Sequence, residues 1–190
     1  MGILTVANQD WAFSPTKYWE AGATTLTSPI YTYYVIELAH YFYATLTLKN
    51  EPKQKDIIVM GLHHVISILL ISGSLYYGHV RIGVCVMLTT DICDPILELA
   101  KISKYNGKQK IADVIFGLFA VLWFLTRIVT FPIKFTQPAI LYCPCSTSCP
   151  ILIGLFCILQ VLFFYWTYMI MKIALKVKKG EGAADTRDDD

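Results

Sequence analysis

Two adjacent histidines, His63 and His64, stand inside one apolar run of the chain, and Asp91 and Asp94 stand inside the next. Ionisable groups embedded in such segments cost on the order of several kcal/mol, so four together mark a functional site. A neutral imidazole serves as nucleophile or general base, and a nearby carboxylate fixes its tautomer and stabilises its imidazolium form. That pairing suits acyl transfer. Imidazole and carboxylate also ligate zinc or iron, but neighbouring histidines on a helix point about 100° apart, and the site is expected to work without a metal. A polar network that only clamps helices together is the third reading.

The elements that position these residues follow from composition. Of the 190 residues, 55% are hydrophobic and 16% charged, with a mean hydropathy of +0.51, which excludes an ordinary soluble domain and implies an all-α integral membrane protein. A net charge of +2 argues against a nucleic-acid partner. Five apolar stretches have the length that crosses a hydrocarbon core about 30 Å thick: 29–48, 57–77, 80–100, 111–131 and 150–173. Residues 1–28 precede this bundle without a signal-peptide pattern, and the charged tail 177–190 follows it.

Orientation is read from the connections. Lys49, Lys53 and Lys55 follow the first stretch, Lys101, Lys104, Lys108 and Lys110 follow the third, and Lys172, Lys176, Lys178 and Lys179 end the fifth. These belong on the cytosolic side. The connection at Gly78 and the stretch Pro132 to Pro150 are poorer in cations and are expected in the lumen, so the N-terminus is lumenal and the C-terminus cytosolic. Arg127 is expected near the lumenal end of the fourth span, snorkelling to headgroups. Cys143, Cys145 and Cys149 provide for one lumenal disulfide, and Trp166 is expected to pack rather than bind.

A tight hairpin at Gly78 brings residue 64 beside roughly residue 92, about 10 Å in from the cytosolic face at the helical rise. Asp91, Asp94, Glu98 and Lys101 form one stripe on the third helix. Glu37 and His40 add a matching pair on the first, and Ser67 a hydroxyl one turn from the histidines. Three helices thus contribute to one cytosol-facing polar pocket.

At these positions the chain resembles the Lag motif of ceramide synthases within the TLC-domain superfamily. The resemblance runs from near Ser28 to near Lys176 and is carried by the paired histidines, Arg81-Ile82-Gly83, the Asp91-x-x-Asp94 pair, the run Leu97-Glu98-Leu99-Ala100-Lys101, and the element around Thr126-Arg127 and Phe131-Pro132. It implies a TLC domain over 29–176 and an N-acyltransferase of the endoplasmic reticulum membrane, transferring a fatty acyl group from acyl-CoA to the amine of a sphingoid base. Acyl-CoA is then a co-substrate and no cofactor is implied; homo- and hetero-oligomers stay open. By the resemblance His63 and His64 supply the catalytic imidazoles, and Asp91 and Asp94 orient them or bind the amine. Lys49, Lys53, Lys55, Lys101 and Lys104 are candidates for the CoA phosphates, although each also fits an ordinary positive-inside lysine. The alternative is a TLC-domain protein without acyltransferase activity, engaged in lipid binding, trafficking or translocon association.

The chain departs from the family pattern at Thr90, where a histidine is usual, and at Pro95, which is expected to kink the helix and free a carbonyl near Asp91. Ser67 replaces a threonine. His40, near His64 in depth, is a candidate to supply the imidazole absent at Thr90; its alternative is a hydrogen bond to Glu37 or to water.

Overall fold

The computed structural model describes residues 9, 11, 12, 14–19, 26–50, 56–143 and 148–178. Among them every regular element is helical. Helix α1 spans Ser28–Thr47, α2 Ile57–Tyr76, α3 Val80–Asp91 and α4 Asp94–Tyr105. A continuous helix α5 runs Gln109–Tyr142, and α6 spans Ser148–Lys178.

Among the described residues three helices, α2, α5 and α6, are each long and apolar enough to cross a membrane on their own, fewer than the five stretches expected. The stretch 29–48 does form a 20-residue helix. Its Glu37, His40 and five tyrosines, however, dilute its apolar character. The stretch 80–100 is not one span but the two short helices α3 and α4, interrupted at Ile92 and Cys93. Pro95 enters the first turn of α4, where its missing N–H is harmless, but it cannot continue the ladder of α3. Asp94 in that same turn complements the helix dipole.

The fourth span does not end at Pro132. The helix passes through it in wide π register, over Phe124–Thr130 and Pro132–Thr136, and the N–H of Phe131 donates to the Thr126 carbonyl, five residues back. In that register the partner of the Arg127 carbonyl is the N–H that Pro132 lacks. Gln160 of α6 fills the vacancy, its Nε2 donating to the Arg127 carbonyl at 3.2 Å.

The hairpin expected at Gly78 is present, with φ of 77° at that glycine. Gly107, with φ of 71°, similarly turns the chain from α4 into α5. Behind the first hairpin, Tyr34 of α1 is fully buried. Its hydroxyl shares a hydrogen bond with Ser74 Oγ at 3.0 Å and donates to the Val80 carbonyl at 3.2 Å. Three helices meet at this point because Gly83 has no side chain: a Cβ there would lie 2.1 Å from Tyr34 Oη and 2.6 Å from Ser74 Oγ. The main core continues through Phe131, Phe156 and Phe163, whose rings meet edge to face at 5.5 and 5.1 Å from Phe131. Outward-facing Val114, Val121 and Val161 are exposed and suit a lipid surround.

Of the three cysteines expected to supply one disulfide, Cys143 and Cys149 are joined; Cys145 lies outside the described residues. His79 approaches both sulfurs within 4.8 Å. With the thiols consumed in the bridge, this cluster offers no thiolate for a metal.

Replacing Gly83 by alanine is expected to destabilise the protein by about 1–3 kcal/mol through overpacking. Thermal unfolding of the detergent-solubilised variant checks this; a melting temperature equal to that of the native protein would contradict the tight three-helix junction.

Candidate functional site

A cavity of about 400 Å³ lies between the helices, and His63, His64, Asp91 and Asp94 all line it. Helix α2 contributes the two imidazoles. They diverge as neighbours on a helix must, yet both rings contact Tyr41 of α1, at centroid distances of 5.9 and 6.0 Å. His63 also meets the Trp166 ring edge to face at 5.2 Å. Its Nδ1 is buried with no hydrogen-bond partner among the described residues, which leaves that nitrogen available to a ligand.

Trp166 packs in the core as expected and also forms a wall of the cavity. Its indole N–H donates to Asp56 Oδ2 at 3.0 Å. Asp56 is 1% exposed and opens α2 as its N-cap residue, so a buried carboxylate fixes the ring that faces His63.

The aspartates are held differently. Tyr33 donates a short hydrogen bond to Asp91 Oδ2, and Glu37 faces the same carboxylate. Asp94 lies 3.6 Å from the Arg127 guanidinium. His40 lines the cavity beside Thr90, Asp91 and Asp94, with its ring against Tyr41 at 5.6 Å. His40 and Asp94 are both exposed, so the cavity opens between α1 and α4.

Thr90, where the missing imidazole would stand, donates its hydroxyl back to the Met87 and Val86 carbonyls at 2.9 and 3.1 Å. It lines the cavity, but its proton is used within its own helix.

Arg127 departs most from expectation. It is 5% exposed and does not reach for headgroups. The π register turns it inward, where Nη2 donates to the Thr90 carbonyl at 2.5 Å. Its guanidinium carbon sits 3.9 Å above the Trp123 ring, a cation–π contact that strengthens where water is excluded. Trp123 is held in turn by Thr167, which accepts from its indole N–H at 3.0 Å. The carbonyl freed where α3 breaks is thus capped by the arginine.

Other expected members lie outside the cavity lining. Glu98 is 61% exposed and pairs with Lys101 at 2.8 Å, on the same helix as Asp94. Glu37 stands behind Asp91, Ser67 is buried beside Tyr41, and Lys49 is exposed on the short turn after α1. Lys101 and Lys104 do line the cavity; Lys53 and Lys55 lie outside the described residues. Apolar walls come from Phe116, Phe119, Phe163, Ile170 and Ile173. Tyr33 and Tyr41 were recognisable, since they continue the helical face of Glu37 and His40. Asp56 gave no signal, ending a stretch rich in charged and polar residues.

A family model described as the TLC domain matches residues 1–172. Ceramide synthase 5 of Homo sapiens is 34% identical over 195 residues, covering 99% of this chain and 50% of the relative. Ceramide synthase 4 of Bos taurus is 31% identical, with 99% and 49% covered. Ceramide synthase 3 of Mus musculus is 30% identical, with 99% and 50% covered. The chain spans about half the length of these curated relatives.

Gln160→Leu removes the donor to the Arg127 carbonyl in an apolar interior. A destabilisation of about 1–3 kcal/mol is expected in thermal or denaturant unfolding; an unchanged stability would mean that the carbonyl needs no such cap.

Proposed function

The chain belongs to the TLC-domain family, and from that premise we propose that it is a ceramide synthase-like N-acyltransferase, moving a fatty acyl group from acyl-CoA to the amine of a sphingoid base. The observation that carries the reading is the His63 imidazole with an unpartnered, buried Nδ1 on the wall of a largely apolar cavity. A thioester is an activated donor with a good leaving group, so attack needs no metal.

In the base-assisted route the amine nitrogen adds to the thioester carbonyl while an imidazole takes the amine's proton. The carbon–sulfur bond then breaks, and the CoA thiolate leaves with that proton. In the covalent route the imidazole nitrogen itself first takes the acyl group, releasing CoA, and the amine then displaces it. Asp94, exposed at the mouth beside His40, suits the incoming ammonium. Lys101 and Lys104 on the lining suit the CoA phosphates, and the aromatic and aliphatic walls suit the acyl chain. The mouth between α1 and α4 gives a membrane-dissolved base a lateral way in. His40, on the same lining as Thr90, fits the role of the imidazole absent there. By the lysine distribution the mouth side of α4 is cytosolic in the endoplasmic reticulum membrane.

The internally bonded hydroxyl of Thr90 favours the second reading, a TLC-domain protein that binds lipid without transferring an acyl group. The two separate in one assay. Purified protein in detergent, given labelled long-chain acyl-CoA and sphinganine, is expected to form the N-acyl product. His63→Ala, His64→Ala and Asp91→Asn are each expected to lower the rate by about 10²-fold or more. His40→Ala is expected to lower it as well. No product from the native chain, with acyl-CoA still bound, would select the lipid-binding reading; undiminished product from the histidine variants would remove the site.

A further inference from the structure

We propose that Arg127 binds the carbonyl oxygen of the acyl donor and stabilises the negative charge that develops on it during transfer. This rests on the acyl-transfer reading of the same cavity.

A guanidinium carries five N–H donors and accepts nothing. At 5% exposure Arg127 has surrendered nearly all its hydration, a cost on the order of several kcal/mol at membrane depth. Its partners account for only part of its donors. Nη2 reaches the Thr90 carbonyl at 2.5 Å, Nη1 reaches Thr126 Oγ1 at 3.4 Å, and Asp94 stands 3.6 Å away. Nε is buried with no partner among the described residues. A buried positive group beside Asp94, with a donor left over, lines the same cavity as the unpartnered nitrogen of His63.

Two structural partners, the Thr90 carbonyl and the Asp94 carboxylate, take up one side of the guanidinium and leave Nε over. Capping the Thr90 carbonyl takes one neutral donor, which Asn or Gln also carries. A fixed cation at that point adds what acyl transfer requires. When the nucleophile adds, the carbonyl π electrons move onto oxygen, and a prepositioned donor in a site of low polarity stabilises that oxyanion most. The ring of Trp123 beneath the guanidinium, itself bonded to Thr167, keeps the plane from rotating away. The charge returns to the carbonyl when the carbon–sulfur bond breaks and the thiolate departs, so Arg127 gains and loses no proton.

The test compares two uncleavable CoA derivatives of equal chain length: a ketone, in which a methylene separates sulfur from the carbonyl, and a plain alkyl thioether. The native protein is expected to bind the ketone about tenfold more tightly. Arg127→Gln and Arg127→Lys, the latter retaining the charge if the former fails to fold, are expected to erase that preference. Both should lower kcat for N-acylation by about 10²- to 10³-fold, with KM changed only a few-fold. Equal affinity of the native protein for the two analogues would overturn the proposal. So would a folded variant with native kcat and native preference, which would reduce Arg127 to a cap on Thr90. A native protein that prefers the ketone but forms no amide would overturn the acyl-transfer reading and leave the carbonyl contact standing.

Discussion

One buried cation, Arg127, ties the break in the third hydrophobic stretch to the π register of the fifth helix. Two prolines stand at the irregularities it joins. The helix breaks at Ile92 and Cys93, just before Pro95, and Arg127 caps the Thr90 carbonyl left at that break. Pro132 removes the N–H that would have bonded the carbonyl of Arg127 itself, which Gln160 supplies instead. Each vacancy is filled by a side chain from another helix, so α3, α5 and α6 are locked by hydrogen bonds as well as by apolar packing. In a bilayer, where lipid offers no donors, such satisfaction is a condition for irregular helix geometry.

The cavity exists because of that irregularity. Two straight antiparallel spans would have packed along their length, whereas the interruption at Ile92 and Cys93 turns Asp91 towards Tyr33 and sets Asp94 at the mouth. On the opposite side, Asp56 fixes Trp166 and Trp166 faces His63. The imidazoles and the carboxylates therefore share a chamber but have different direct partners, Trp166 for His63 and Tyr33 and Arg127 for the aspartates. That separation suits a reaction in which one group activates a nucleophile while another holds a charged substrate.

Much of this was legible in the residues. The polar groups inside apolar runs and the turn at Gly78 are enough to bring His63, His64, Asp91 and Asp94 to one cavity, because helical rise fixes their depth on either side of a hairpin. Tyr33 and Tyr41 of α1 were open to the same reasoning. What resisted reading was non-local. A π register has no signature in periodicity, so Arg127 was assigned to the lumenal edge of a span ending at Pro132. The inward role of Trp166 depends on Asp56, 110 positions away in sequence. Five spans were expected because apolar length was counted without the proline break after Asp91 and without the polar load of α1.

The most direct measurement on the account as a whole is where an acyl chain sits. Acyl-CoA carrying a photoreactive group near the end of its chain, crosslinked to the native protein and mapped by peptide mass spectrometry, should label the cavity wall, at Phe116, Phe119, Ile170 or Ile173. Labelling confined to outward-facing Val114, Val121 or Val161 would contradict the account.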